Sequence, residues 1–153
     1  MDIKEQMQLD AHNLISFRKK LHALELQMHM KKMLDYAASY GAKKVGSDIS
    51  VSYAVDGELM DVEMYIPLDR KIPSNHDFTF KPCLYLENCV ATTHKGNPPG
   101  LENTMKKMNA YIVEKRLTPI SAGFIVTIHE ITSAKDLELF EVDIYISISP
   151  NVV

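Results

Sequence analysis

Two short runs place carboxylates beside a phenol at matching spacing. Residues 61–66 read Asp-Val-Glu-Met-Tyr-Ile, and residues 141–146 read Glu-Val-Asp-Ile-Tyr-Ile. On a strand, side chains alternate between the two faces. Asp61, Glu63 and Tyr65 therefore share one face, and Glu141, Asp143 and Tyr145 share one face of the second run. The opposite rows are apolar: Met60, Val62, Met64, Ile66 and Leu68 in the first, Phe140, Val142, Ile144, Ile146 and Ile148 in the second. A carboxylate beside aromatic rings suits a cationic or amphipathic organic ligand, because ring faces attract the cation and the carboxylate neutralises it. The same polar row is also what the solvated face of an antiparallel sheet displays.

Other reactive residues form weaker patterns. His129 ends an apolar run in the second half; with Phe124 and Val126 turned toward a helix, Thr127 and His129 would look away from it, where His129 is a candidate ligand contact or proton carrier. An exposed strand-end histidine is the alternative. Cys89 and His94 stand five apart, which on a strand puts them on opposite faces, so they are expected as a structural thiol and a turn histidine. His22 and His29 lack an acid at matching spacing, and the Cys83–Cys89 spacing fits no zinc pattern. The run His-Lys-Gly-Asn-Pro-Pro-Gly at 94–100 lacks the Gly-Lys-Ser/Thr of a phosphate loop. No catalytic residue, metal site or cofactor is expected.

The elements that must carry the two acid rows are themselves repeated. A shift of 75 residues lays Leu26–Tyr36 on Leu101–Tyr111, including the shared Met-Lys-Lys-Met, and the closing acid rows align with a shift of 80. The second copy therefore carries a longer turn, at 131–139. Leu26, Met30, Met33 and Ala37 make one helix face, and Leu101, Met105, Met108 and Ile112 repeat it in register. Each copy reads strand, helix, strand, strand. The expected strands are 12–20, 47–55 and 59–68 in copy one and 84–94, 120–131 and 138–149 in copy two, with helices at 24–40 and 101–115. Residues 1–11 are a candidate extension of the first strand. The fold class is thus α+β, an internally duplicated βαββ unit. Its antiparallel sheet carries helices on one face and a ligand cleft on the other. Residues 1–153 form one domain, with copy one at 12–68, a linker at 69–83 and copy two at 84–149.

Composition narrows the function. The chain has 153 residues, enough for an ordinary core without metal or disulfide staples. A net charge of −3 with no basic face argues against direct nucleic-acid binding. The N-terminus lacks the basic flank and apolar run of a signal peptide, and no apolar stretch approaches the ~20 residues of a membrane span. A cytoplasmic protein is expected.

The duplication, the run His94–Met108 and the closing strands Glu63–Leu68 and Asp143–Ile148 together resemble the GyrI-like superfamily of tandem βαββ effector-binding domains, found in multidrug-sensing bacterial regulators. The resemblance covers nearly the whole chain from residue 12. It implies a ligand cleft between the halves, with Glu63 and Asp143 as its acids and Tyr65 and Tyr145 beside them. Ser147 stands where the family usually has proline, and the tryptophan common in such clefts is absent. The two copies and their linker occupy the chain, so a stand-alone bacterial member without a DNA-binding module is expected.

The leading expectation is a non-catalytic protein that binds a small organic ligand, cationic or amphipathic, through Asp61, Glu63, Tyr65, Glu141, Asp143, Tyr145 and His129. One alternative is a hydrolase of reactive small molecules that uses a cleft acid and tyrosine, as the resemblance also implies. Another is an interaction module whose cleft or edge strand receives a protein partner.

Overall fold

The computed structural model describes residues 2–129 and 138–150, among which lie six strands and two α-helices. Strand β1 spans Ile3–Leu21, α1 Leu26–Ser39, β2 Ile49–Asp56 and β3 Leu59–Pro67. Strand β4 spans Thr79–Lys95, α2 Leu101–Glu114, β5 Phe124–His129 and β6 Glu141–Ser147. A short 3-10 turn leads into each helix, at Ala23–Glu25 and Pro98–Gly100. The second turn uses proline where a helix start tolerates a missing N–H. Neither helix is long and apolar enough to cross a membrane.

The chain divides into two units. One is Asp10–Tyr85; the other is made of the described residues of Met1–Leu9 and Leu86–Val153. Both long strands cross this division. Residues 3–11 thus extend the first strand toward the N-terminus, and residues 79–83, expected within the linker, open β4. Within the first unit β3 pairs antiparallel with β1 and β2; within the second, β6 pairs antiparallel with β4 and β5.

The apolar rows meet the helices as their periodicity requires. Met33 and Ala37 of α1 are buried against Val62, Met64, Ile66 and Leu68 of β3 and the residue after it. Met108 and Ile112 of α2 are buried against Val142, Ile144, Ile146 and Ile148. Lys31, Lys32, Lys106 and Lys107 lie exposed off these stripes. Truncating a side chain as enclosed as Met33 or Met108 costs about 2–5 kcal/mol, so each helix depends on its own sheet.

The backbone repeats as closely as the text does. Asn13 and Asn88, 75 apart, both take left-handed φ, at 55° and 52°. Asn is among the residues that tolerate that region. Their carbonyls accept the N–H of Leu68 and Ile148. Gly41 and Arg116, again 75 apart, take φ of 73° and 57° just beyond the two helices. Each closes its helix the same way: Gly41 and Ala42 donate to Ala38 and Ala37, and Arg116 and Leu117 donate to Val113 and Ile112. The paired bridges Lys44–Leu68 and Pro119–Ile148 complete the correspondence. The longer turn of copy two falls largely on residues 130–137, outside the described residues.

Candidate functional site

The helix-free face of copy one gathers its acids around a bulge. Tyr65 and Glu63 of β3 lie opposite Ile49 and Val51 of β2, and Val62 lies opposite Ser52. The register then slips, so that Ala54 faces Asp61 and Tyr53 is the extra residue. Tyr53 follows Val51 onto the acid face, and its hydroxyl donates to Glu63 Oε1 at 2.7 Å. Lys81 of β4 donates to Glu63 Oε2 at 3.1 Å, lies 3.5 Å from the Tyr65 hydroxyl, and sits 5.0 Å from that ring's centroid. Arg18 of β1 forks onto Asp61 at 3.1 and 3.0 Å while its guanidinium lies 3.8 Å over the Tyr53 ring.

Burial decides what these groups do. Glu63 is only 9% exposed and Tyr65 3%. Burial alone would push the Glu63 carboxyl up, but the hydroxyls of Tyr53 and Tyr65 and the Lys81 ammonium outweigh it and hold the group below the usual carboxylate range. Burial and the neighbouring Glu63 push Tyr53 up to about 12 and Tyr65 higher still. Asp61, partly buried, is lowered by its Arg18 hydrogen bonds.

Copy two has the same frame and different occupants. Phe124 and Val126 of β5 lie opposite Tyr145 and Asp143, so they share the acid face, and Ile125 and Thr127 turn toward the helix. The condition under which simple alternation would turn His129 toward the acid row, Phe124 and Val126 facing α2, is therefore not met. A second register slip between Thr127 and His129 then sets His129 opposite Glu141. His129 thus reaches the acid row through a bulge rather than through simple alternation, and it is exposed. The extra residue here is Ile128, the counterpart of Tyr53. Thr93 stands where copy one has Arg18, and its hydroxyl donates to Asp143 Oδ1 at 2.6 Å. Lys95 approaches Glu141 at 3.7 Å. Burial, and then the Asp143 charge, push the Tyr145 phenol up.

Glu141, Asp143 and Tyr145 line a cavity of about 350 Å³, together with Asp2, just before β1, and Lys4 and Met7 from its start. All of these residues belong to one unit. Of the seven residues singled out by sequence, Asp61, Glu63 and Tyr65 therefore meet in copy one, and Glu141, Asp143 and Tyr145 meet at the cavity of copy two. His129 lies beside Glu141 on β5.

Four partners escaped the sequence reading: Arg18, Tyr53, Lys81 and Thr93. Tyr53 hides because a bulge leaves no mark on hydrophobic periodicity. Lys81 sits in the stretch whose prolines and turn residues read as linker. Ser147 departs from proline without disturbing the strand: its carbonyl accepts from Ile120 N–H as the Pro67 carbonyl accepts from Val45 N–H. Its own N–H, which proline lacks, donates to Ser121 Oγ at 2.9 Å. His94 is buried between Thr104 Oγ1 at 2.8 Å and the Asn97 carbonyl at 3.1 Å, which pins the turn into α2. Among the described residues no group of three or more His, Cys, Asp or Glu is placed to hold a metal ion.

Known structures share this architecture. The C-terminal domain of EcmrR superposes with a TM-score of 0.73 at 13% identity, covering 98% of this chain and 97% of that domain. Against the longer EcmrR chain seen in complex with DNA, the present chain spans 57% of its length. A hydrolase from Listeria innocua superposes at 0.58 with 8% identity, covering 97% of this chain and 91% of that one. SAV2435 bound to tetraphenylphosphonium superposes at 0.51 with 12% identity, covering 97% and 93%. At these identities the likeness establishes the fold. No family model matches the chain, and no curated protein matches it.

Proposed function

We propose that this chain is a non-catalytic, GyrI-like binding protein for small organic cations, and that copy two carries its open site. The observation behind this reading is the cavity of about 350 Å³ that sets the Asp143 carboxylate beside the Tyr145 ring. That volume falls in the usual range for small-molecule sites. The cavity offers what a lipophilic cation requires: carboxylates in excess of lysines (Asp2, Glu141 and Asp143 against Lys4 and Lys95), a ring face for its surface, and the adaptable Met7 side chain for its shape. The tetraphenylphosphonium held by SAV2435, on the same fold, supports this class of ligand.

Proton chemistry favours binding over turnover. At the cavity, burial and then the Asp143 charge push the Tyr145 phenol up, so it stays protonated at neutral pH. Groups fixed so far from neutrality are poor general acids and bases there. The hydrolase reading, prompted by the Listeria innocua neighbour, therefore ranks second.

The test is a thermal-shift and calorimetry panel of tetramethylammonium, benzyltrimethylammonium and tetraphenylphosphonium, with benzyl alcohol as the neutral control. Saturable binding of at least one cation, weakened tenfold or more by Asp143→Asn, is expected. A panel without a single Asp143-dependent binder overturns the proposal. Turnover of activated esters that disappears in Asp143→Asn or Tyr145→Phe would replace it with the hydrolase reading.

A further inference from the structure

Among the described residues Glu63 is the only buried carboxylate. Its cation is already in place. Lys81 brings an ammonium to 3.1 Å from Glu63 Oε2, 3.5 Å from the Tyr65 hydroxyl and 5.0 Å from the Tyr65 ring centroid. These are the contacts a free alkylammonium ion would make with a carboxylate and an aromatic ring. The other carboxylate oxygen is taken by Tyr53. Lys81 arrives from the opening residues of β4, which belong to the same unit as Glu63.

Copy two lacks this arrangement. The residue 75 before Lys81 is Gln6, which does not line the cavity beside Asp143; the lysines there are Lys4 and Lys95, and Lys95 pairs with Glu141 at 3.7 Å. Asp143 takes a neutral hydroxyl, from Thr93, and among the described residues no lysine or arginine lies within ion-pair range of it. One duplicated frame therefore holds a filled cation position and one that is lined but open.

We propose that Lys81 is a tethered ligand. Its ammonium occupies the box made by Glu63, Tyr65 and Tyr53, closes copy one to external cations, and makes Asp143 the acid that serves them. With that ammonium removed, the box becomes a site for a primary alkylammonium ion. A secondary consequence is specificity: Lys81 presents an unbranched chain behind its ammonium, so the box fits a slender primary amine and not a bulky quaternary ion. This extends the cation-binding reading to the other copy, but its test reads Glu63 with Asp143 removed.

The experiment is chemical rescue. Lys81→Ala deletes three methylene groups and the ammonium, which n-propylammonium restores atom for atom. In the Lys81→Ala/Asp143→Asn protein, n-propylammonium is expected to raise the Tm saturably and recover at least half of what Lys81→Ala lost. At equal ionic strength, 1-propanol and tetramethylammonium should not do so, and adding Glu63→Gln should abolish the effect. If Lys81→Ala does not fold, n-propylammonium in the refolding buffer should recover the folded fraction with the same saturation. No rescue, rescue by 1-propanol, or rescue that survives Glu63→Gln overturns the assignment. Failure of wild-type protein to bind any cation would overturn the proposed function and leave this result readable.

Discussion

The Tyr53 hydroxyl donates to Glu63 Oε1 at 2.7 Å, and it does so from the extra residue of a β-bulge. The bulge matters because it lets a strand that otherwise shows Ile49 and Val51 to this face add a hydrogen-bond donor beside a buried acid. Tyr53→Phe removes one bond to a charged acceptor and should lower stability by about 1–2 kcal/mol. Truncating its counterpart, the exposed Ile128, to alanine should change stability by less than about 0.5 kcal/mol. Urea denaturation midpoints of the two variants check the contrast.

Stability should fall in acid through Glu63. Its folded carboxyl titrates below its ordinary value of 4.5, because the two hydroxyls and Lys81 outweigh burial. A group lowered on folding contributes stability above its unfolded value and loses it as pH drops through the folded one. Wild-type Tm should therefore decline as pH falls below about 4.5, and Glu63→Gln should flatten that decline while lowering Tm at neutral pH. In alkali the sign reverses for Tyr53. Its phenol is raised from 10.0 to about 12, so the stability it contributes is full below pH 10 and is lost as pH rises through 12. Tyrosinate absorbance should accordingly show Tyr53 and Tyr65 ionising late, together with unfolding.

Ser147 and Ser121 should behave as a pair. In copy one, Pro67 needs no acceptor for its nitrogen, and a side chain at Gly46 would lie 3.3 Å from the proline ring. In copy two the buried Ser147 N–H depends on Ser121 Oγ. Ser121→Ala strands that N–H and should cost about 1–3 kcal/mol. Ser147→Pro alone should crowd Ser121, whereas Ser121→Gly/Ser147→Pro copies the first unit and should be less destabilising than the sum of its single changes. A double-mutant cycle in urea checks this.

Arg116 should be improvable. It holds the left-handed position after α2, with φ of 57°, that Gly41 fills after α1. A residue with a Cβ is strained there. Arg116→Gly is expected to stabilise by about 0.5–1 kcal/mol, and Gly41→Ala to destabilise by at least as much, since its Cβ would also meet the Arg70 guanidinium at 3.2 Å. Thermal melts of the two variants should move in opposite directions.

The duplication, the helix stripes and the two acid rows were legible in the sequence because all three are periodic. Met33 and Met108 fall where a 3.6-residue period puts them, and Glu63 and Asp143 where a two-residue period does. A period says which face a side chain takes only until the register slips. The face of Phe124 and Val126 is decided by one cross-strand pairing, and no local pattern carries that pairing. His129 came to the acid row for a reason that alternation does not contain.

What tertiary structure alone decided is which partner each acid has. Glu63 and Asp143 are equivalent in the text, yet one is buried under Tyr53 and Lys81 and the other opens on a cavity beside Thr93. Lys81 lies 18 residues from Glu63 along the chain, in a stretch with every mark of a linker. Its meeting with Glu63 depends on where β4 begins and which unit its first turns of strand join. Periodicity sets the face a residue presents; long-range pairing sets the charge it meets there.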